Sequence, residues 1–298
     1  MTAVLGLGTH RVRAVDQAAR TALAGGAVWV DTAPNYAGGR AHGLLAPVLA
    51  DHPGVHVATK TGFVIPAQRQ AAVREGVLSS RQAAAGHSLD PGFVRWQTHK
   101  SLADLGRADV VFVHNPERAG RGRAAIHARI RDAFAVLEEV ADAGRIDGYG
   151  VATWSGFDAG MFTVGELVGL ARQAAGGADH HLIALQQPVS LVRDTPIRHA
   201  LAGLGSLVEA DAAGLTTFGS APLHGGELPA LVTPDLADLI HPGLSPAAAC
   251  LLAAASTPRL DVVLLSASTP AHWAQAQAAL DLPLEGHRLR KITDVLAS

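Results

Sequence analysis

Short apolar runs alternate with longer segments of helical periodicity along the whole chain. The short runs are rich in β-branched residues and predict eight strands, at residues 4–8, 28–31, 55–59, 110–113, 148–151, 182–185, 216–218 and 262–265. A segment long enough for a helix follows each run. Eight strand–helix pairs predict an α/β fold in which parallel strands close into a (β/α)8 TIM barrel, with one domain over residues 1–298.

Punctuation between these segments supports the same fold. The pairs Asp90-Pro91, Ser245-Pro246 and Thr269-Pro270 each place a capping side chain before a proline, which is typical of a helix start. Glycines that follow Ala-rich stretches indicate left-handed caps at helix ends. The clearest helix is predicted over 129–143, where the apolar residues recur at spacings of four, three and four.

Composition excludes several classes of function. The 298 residues carry 24 Lys and Arg against 26 Asp and Glu, so the net charge of −2 offers no basic surface for nucleic acid or an anionic membrane. A single cysteine, Cys250, excludes a disulfide scaffold, and no apolar run is long enough to span a bilayer. We therefore expect a soluble cytoplasmic protein whose partner is a small molecule. The 15 histidines show no metal-ligand spacing, and no metal is expected.

Four residues capable of proton chemistry stand at or just beyond three predicted strand ends. They are Asp31, Tyr36, Lys60 and His114. In a barrel the carboxyl ends of the strands meet on one face, so these side chains are expected to converge. A buried lysine needs a counter-charge, and Asp31 is the natural partner of Lys60. The lysine cation is then expected to lower the pKa of Tyr36 toward a range useful for a general acid, while His114 orients a substrate oxygen.

The strings DTAPNY, ATKTG and VFVHNPE, in this order, resemble the aldo-keto reductase family. The resemblance extends from LGLGTHR at the first strand, through AGRIDGYGVATW, to VLLSASTPAHWAQA near the end. It implies a barrel that transfers hydride between a nicotinamide cofactor, usually NADPH, and a carbonyl or alcohol. Tyr36 is then the general acid, Lys60 and Asp31 tune it, and His114 positions the carbonyl oxygen. The resemblance places the substrate beside His10, Phe63 and Asn115. Trp154 is a further candidate, and packing alone is the alternative explanation for Phe63 and Trp154.

The resemblance also locates the positions that face the nicotinamide end of the cofactor. A Ser-Asn pair common in the family is matched here by Ala152 and Thr153, and a glutamine is retained as Gln186, with Gln187 as the alternative register. Ser220 stands where a tyrosine commonly stacks on the nicotinamide ring. The expected contacts to the nicotinamide are therefore fewer than is usual in the family.

Around the adenosine end, the family's cationic positions are matched by Ser266 and His272, and its Glu-Asn pair by Gln275 and Ala276. Ser268 and Thr269 precede a predicted helix whose N-terminus favours a phosphate. Without a fixed cation, NADPH is a weaker expectation than for the family, and NADH or no cofactor are the alternatives. Three hypotheses follow: an NAD(P)-dependent oxidoreductase, a redox-neutral acid–base enzyme for dehydration, isomerisation or cyclisation, and a non-catalytic binding subunit.

Two long segments, 61–88 and 115–125, follow strands and have no clear period. The first carries Arg69, Arg74 and Arg81, and the second carries Arg118, Arg121 and Arg123. At the carboxyl face of a barrel such segments either cover the pocket and supply cations for an acidic substrate group, or form solvated surface loops. The identity of the substrate is not encoded in any motif of these segments or of 223–233.

Overall fold

Eight parallel strands close into a barrel in chain order, so the predicted (β/α)8 fold is confirmed. The computed structural model describes residues 2–297. The strands are β1 (Val4–Gly8), β2 (Trp29–Asp31), β3 (His56–Thr61), β4 (Val110–His114), β5 (Gly148–Ala152), β6 (Leu182–Pro188), β7 (Thr216–Ser220) and β8 (Val262–Leu265). Five of them run one to three residues beyond the predicted apolar core at their carboxyl ends. The polar residues at those ends therefore belong to the ladder and not to loops.

Thirteen α-helices occupy the connections within residues 2–297. Over that range, no helix combines the length and the apolar character needed to cross a membrane. The helices are α1 (Val15–Ala24), α2 (Ala41–Ala50), α3 (Pro66–Arg74), α4 (Ser80–Ala84), α5 (Pro91–Leu105), α6 (Arg123–Asp142), α7 (Val164–Ala175), α8 (Thr195–Leu201), α9 (Gly205–Ala212), α10 (Pro234–Ile240), α11 (Pro246–Ala255), α12 (Pro270–Leu280) and α13 (Gly286–Ala297).

The predicted helix ends are confirmed by their hydrogen bonds. The side chains of Asp90, Ser245 and Thr269 each accept a bond from a backbone N–H in the first turn of α5, α11 and α12. After α6 and α9, Gly144 and Gly214 adopt left-handed φ values of 64° and 73°. These caps fix where the chain leaves each helix and enters the next strand.

The structure adds two short helices where the sequence showed no clear period, and it extends one predicted helix. The segment 61–88 is not irregular, because it contains α3 and α4, which are too short to show a clear period in the sequence. The helix predicted over 129–143 is present but begins earlier, at Arg123, since its first turns carry alanines and a single large apolar residue, Ile126, and present little amphipathic signal. The N-terminal turn is tied instead by Arg123, which pairs with Glu166 of α7.

A few large side chains fill the inside of the barrel. Phe112 of β4 and Phe218 of β7 meet edge to face across it, with ring centroids 5.5 Å apart, and Trp29 of β2 contacts Phe218 at 4.9 Å. Gly150 of β5 leaves the space for Phe112, because a Cβ there would lie 2.6 Å from that ring. The interior is thus an apolar floor beneath the strand ends.

The layer above this floor is polar because side chains two residues apart point to the same side of a strand. Phe112 and His114 both face inward on β4, and Ala58 and Lys60 do so on β3. The inward layer at the carboxyl ends contains Asp31, Lys60, His114, Gln186, Ser220 and Ser266. The alternation that builds the floor therefore also gathers the polar groups.

Buried His42 of α2 is expected to make the stability of the barrel depend on pH. Its Nε2 lies 3.0 Å from the Thr59 hydroxyl, and burial lowers its pKa to about 4. An unfolded chain takes up this proton near pH 6.5, so the folded state loses stability as the pH falls from 6.5 toward 4. Between pH 7 and pH 5, protonation linked to His42 is expected to lower the free energy of unfolding by about 2 kcal/mol.

Urea unfolding of the wild type and of His42→Gln at both pH values measures this contribution. The glutamine amide can still bond the Thr59 hydroxyl but does not titrate. The variant is expected to lose about 2 kcal/mol less than the wild type over the same pH interval. Equal losses would show that the His42 proton is not linked to folding.

Candidate active site

A cleft of about 540 Å³ opens at the carboxyl ends of the strands, directly above the apolar floor. Its walls come from the loops after β1, β2, β3, β4, β5 and β7 and from the ends of β6 and β8. The volume lies within the range usual for small-molecule sites. We call it the strand-end cleft.

A buried ion pair lies at the base of the strand-end cleft. Lys60 Nζ donates to both carboxylate oxygens of Asp31 at 2.6 Å and to the Thr32 carbonyl at 3.0 Å. The Gln186 amide donates to Asp31 Oδ1 at 2.9 Å. Burial lowers the pKa of Lys60, and the Asp31 carboxylate opposes that effect. The pair brings together two of the predicted residues and ties β2, β3 and β6 across the barrel.

Tyr36 lies above this pair on a 3₁₀ turn after β2, and its ring is 5.2 Å from Lys60 Nζ. Among residues 2–296, no side chain hydrogen-bonds its hydroxyl. The expectation that Lys60 lowers the pKa of Tyr36 is wrong: burial raises that pKa well above its ordinary value, and the Asp31 charge raises it further. The Lys60 cation is already balanced by Asp31 at 2.6 Å, so it gives the phenolate little stabilisation. Tyr36 therefore carries its proton at neutral pH.

His114 ends β4 and lies beside Tyr36, with the two rings 6.3 Å apart and nearly perpendicular. Burial lowers its pKa well below the ordinary value, and the Lys60 charge lowers it further. Its Nδ1 is buried and has no hydrogen-bond partner among the described residues. A neutral imidazole carries one proton, and only Nε2 has access to the cleft, so we assign the proton to Nε2. His114 can then donate a hydrogen bond into the cleft.

The four predicted substrate residues, His10, Phe63, Asn115 and Trp154, all line the strand-end cleft. The His10 ring packs 5.0 Å from Tyr36, and the Phe63 ring packs 4.7 Å from His114. Burial and the Arg11 charge lower the pKa of His10, which favours its neutral form. Aromatic rings thus pack against both Tyr36 and His114.

The cofactor residues predicted from the resemblance divide into two groups. Thr153, Gln186, Ser220 and Ser266 line the strand-end cleft. Gln187, the alternative register, points away and exchanges hydrogen bonds with Ser206. By contrast, the second group lies outside the cleft lining, on or just before helix α12, and comprises Ser268, Thr269, His272 and Gln275.

Several of these polar groups are already engaged. The Thr153 hydroxyl donates to Glu117 at 2.9 Å and accepts from the Gly156 N–H at 2.8 Å. The Ser266 hydroxyl donates to the Gly8 carbonyl at 2.7 Å, and Thr269 caps α12. His272 and Gln275 are exposed on α12. Hydrogen-bonding capacity toward a ligand is therefore smaller than the residue types alone indicate.

The cleft also contains residues that no sequence pattern indicated. Arg11 and Asn35 line it beside His10 and Tyr36, and Glu117 fixes the loop after β5 through its bonds to Thr153 and to two backbone N–H groups. All three stand within the strings that carry the resemblance, close to predicted residues, and this was their only signal in the sequence. The role of Glu117 was not visible there, because its partner Thr153 is 36 residues away.

The arginines of the two long segments do not reach into the cleft. Arg69, Arg74 and Arg81 are exposed and do not line it. Arg118 lies over the Phe63 ring, with its guanidinium carbon 5.7 Å from the ring centroid. The alternative of solvated surface segments therefore describes the first segment better than a cationic cover.

A second group of ionisable residues lies on the opposite side of the barrel, near the start of β6. Glu138, Asp142 and His181 bring three potential metal ligands within 4.8 Å of one another. Glu138 already accepts bonds from the Tyr149 hydroxyl at 2.5 Å and from the His181 N–H and ring. These bonds account for the buried carboxylate without an ion.

Solved structures of known proteins resemble the chain in fold. The structure superposes on an aldo-keto reductase from Bacillus halodurans in its holo form, with a TM-score of 0.72, 14% identity, and coverage of 99% of this chain and 92% of that one. For an aldo-keto reductase from Klebsiella pneumoniae in complex with NADPH, the TM-score is 0.66 and the identity 18%, with coverage of 98% of this chain and 90% of that one. For aldose reductase from Giardia lamblia, the TM-score is 0.66 and the identity 18%, with coverage of 99% of this chain and 92% of that one.

The sequence comparison gives the family itself. No curated protein sequence matches the chain. The family model described as "Aldo/keto reductase family" matches residues 5–160, slightly more than half of the chain. That range includes Asp31, Tyr36, Lys60 and His114, the residues on which the resemblance was based. The chain belongs to the aldo/keto reductase family, and the protein is an oxidoreductase of that family.

Proposed function

We propose that the protein reduces a small carbonyl compound, or oxidises the corresponding alcohol, with NADPH or NADH as the hydride carrier. The observation that carries this proposal is the placement of Tyr36 and His114 side by side above the Lys60–Asp31 pair. Two donors aimed at one point can stabilise the negative charge that develops on a carbonyl oxygen during reduction. We also propose that the protein is cytoplasmic, since a chain with a single cysteine suits a reducing compartment.

In the proposed mechanism, the carbonyl oxygen binds between Tyr36 and His114. His114 donates from Nε2 and orients the oxygen, while the protonated Tyr36 hydroxyl transfers its proton as the alcohol forms. Lys60 remains paired with Asp31 and holds the floor beneath the tyrosine ring. The rings of His10 and Phe63 line the cleft beside this point.

The strand-end cleft can hold the nicotinamide end of a cofactor. Gly8 leaves open floor at the end of β1, where a Cβ would meet Leu264 at 3.4 Å and Ser266 at 3.5 Å. Gln186 and Ser220 would hold the nicotinamide end, with Thr153 engaged by Glu117. When bound, the cofactor supplies the hydride that the side chains cannot provide.

Titration with NADPH and with NADH tests the proposal. Trp154 lines the cleft, so binding is expected to change tryptophan fluorescence. Carbonyl-dependent loss of the reduced nicotinamide absorbance, measured over a panel of aldehydes and ketones, then reports turnover. If neither nucleotide binds at millimolar concentration, the reductase proposal is wrong.

Weak discrimination between NADPH and NADH is expected. His272 stands where the family often has an arginine, and it is exposed on α12 without the fixed charge of a guanidinium. A charge-assisted bond to the 2′-phosphate is missing, so the ratio of kcat/KM for the two nucleotides is expected to be less than about tenfold. His272→Arg restores a fixed cation and is expected to raise the ratio. A strong preference of the wild type for NADPH would contradict this assignment.

One observation favours a second function on the same site. The Thr153 hydroxyl is committed to Glu117 and Gly156, and Ala152 offers no polar side chain, so β5 contributes no free side-chain bond to a carboxamide. A redox-neutral enzyme would need only the proton chemistry of Tyr36 and His114. Such an enzyme would convert its substrate without consuming a nicotinamide, which the same absorbance assay separates from reduction.

A further inference from the structure

The segment that follows β3 is held by two independent sets of hydrogen bonds. Gln97 of α5, which is fully buried, accepts from the Gly62 N–H at 2.8 Å and donates to the Phe63 carbonyl at 2.8 Å. On the other side, Ser88 N–H donates to the Gly62 carbonyl at 2.8 Å. The returning chain at 86–88 is thereby fixed against the end of β3, and it carries His87 with it.

Among the described residues, the His87 ring makes one hydrogen bond, which is to the main chain of His114. Its Nε2 lies 2.8 Å from the His114 carbonyl oxygen. Since a carbonyl only accepts, this nitrogen carries the proton. Burial lowers the pKa of His87, so its neutral form leaves Nδ1 bare, and that atom is buried without a partner. A buried polar atom without a partner destabilises the folded state. An apolar residue at position 87 would avoid that loss, so the presence of a histidine indicates a role for the Nε2 bond.

The His114 carbonyl needs a donor because β3 stops short of it. The register pairs Thr61 with Val113, so the next residue, Gly62, would pair with His114 if the strand continued. Instead Gly62 turns away at φ 131°, and a Cβ there would lie 3.0 Å from His87 Nε2 and 3.2 Å from the His114 oxygen. The His87 ring therefore takes the place of the next donor in the ladder.

The Phe63 ring completes the contact. It packs 5.2 Å from the His87 ring and 4.7 Å from the His114 ring, edge to face with both. His87 thus acts on His114 in two places, on its carbonyl through the hydrogen bond and on its imidazole through Phe63. A shift of the His114 carbonyl or of the Phe63 ring would move the His114 Nε2 relative to Tyr36.

We propose that His87 is a positioning residue that sets the direction in which His114 donates its hydrogen bond in the strand-end cleft. The inference rests on the proposed function, in which His114 holds the carbonyl oxygen of the substrate. Misplacement of a group that orients the substrate lowers the rate of the chemical step more than it lowers binding of the cofactor.

Three variants test the proposal. His87→Leu removes the donor, His87→Gln keeps an amide donor at similar reach, and His127→Leu removes a matched bond outside the cleft, from His127 to the Met161 carbonyl at 2.9 Å. With the best carbonyl of the panel, His87→Leu is expected to lower kcat about 10- to 100-fold with little change in the KM for the nucleotide. His87→Gln is expected to recover most of the rate, and His127→Leu is expected to keep it.

The imidazole NMR signal of His114 gives a readout that does not depend on turnover. It is expected to shift and broaden in His87→Leu and to stay in place in His87→Gln and His127→Leu. Unchanged kcat together with an unchanged His114 signal in His87→Leu would overturn the proposal, as would equal rate losses in His87→Leu and His127→Leu. A wild type that reduces no carbonyl would refute the proposed function, and the NMR signal would still decide whether His87 positions His114.

Discussion

Replacing Tyr36 with phenylalanine is expected to lower kcat/KM for carbonyl reduction by about 100- to 10,000-fold, the usual contribution of a general acid. The Tyr36 hydroxyl has no hydrogen-bond partner within residues 2–296, and its ring keeps its contacts with His10 in the variant. The free energy of unfolding should therefore change by no more than about 0.5 kcal/mol. Steady-state kinetics and urea unfolding of the same preparation measure both quantities.

Tyr149→Phe is the matched control, because Tyr149 is the other tyrosine of the chain. Its hydroxyl donates to the buried Glu138 at 2.5 Å, on the far side of the barrel from the cleft. This variant is expected to lose stability, because it removes a donor from a buried carboxylate, and to keep its activity. If Tyr36→Phe retained full activity, Tyr36 would not be the proton donor.

Replacing Lys60 with methionine is expected to lower the free energy of unfolding by about 3–5 kcal/mol at neutral pH. The change leaves the Asp31 carboxylate buried with the Gln186 amide as its remaining side-chain donor. An uncompensated charge in a buried site lowers the free energy of unfolding far more than loss of an exposed ion pair does. Urea unfolding at pH 7 gives the difference from wild type.

The double variant Asp31→Asn with Lys60→Met distinguishes loss of the pair from creation of an unpaired charge. Removing both charges is expected to restore much of the stability lost in Lys60→Met, because no ion is then left in the barrel. If the free energy of unfolding of Lys60→Met lay within 1 kcal/mol of the wild-type value, the Asp31 carboxylate would take up a proton with little loss of stability. That result would contradict the view that the pair stabilises the floor of the cleft.

Much of the fold follows from local patterns in the chain. The strand cores and the helix starts at Asp90, Ser245 and Thr269 are encoded by residues a few positions apart, so they were predictable. The convergence of Asp31 and Lys60 also followed, because barrel topology brings strand ends together whatever the loops do. The carboxyl ends of the strands were underpredicted because they end in polar residues such as Lys60 and His114, which face the cleft.

Electrostatics and long-range bonds lay beyond the sequence. A lysine near a tyrosine lowers its pKa only when the cation is free, and the 2.6 Å distance between Lys60 and Asp31 that balances it is a property of the folded chain. The engagement of Thr153 by Glu117 and of the His114 carbonyl by His87 joins residues 36 and 27 positions apart. No periodicity encodes such contacts, so they become visible only in three dimensions.

Isotope transfer tests the central claim most directly. Wild-type protein is incubated with a carbonyl compound that it consumes and with NADPH or NADH deuterated at both C4 positions, and the product is analysed by mass spectrometry and NMR. The proposed function predicts deuterium on the former carbonyl carbon, with one nicotinamide oxidised for each alcohol formed, and loss of this product in Tyr36→Phe. A product that forms without deuterium and without nicotinamide oxidation would contradict hydride transfer and favour the redox-neutral reaction.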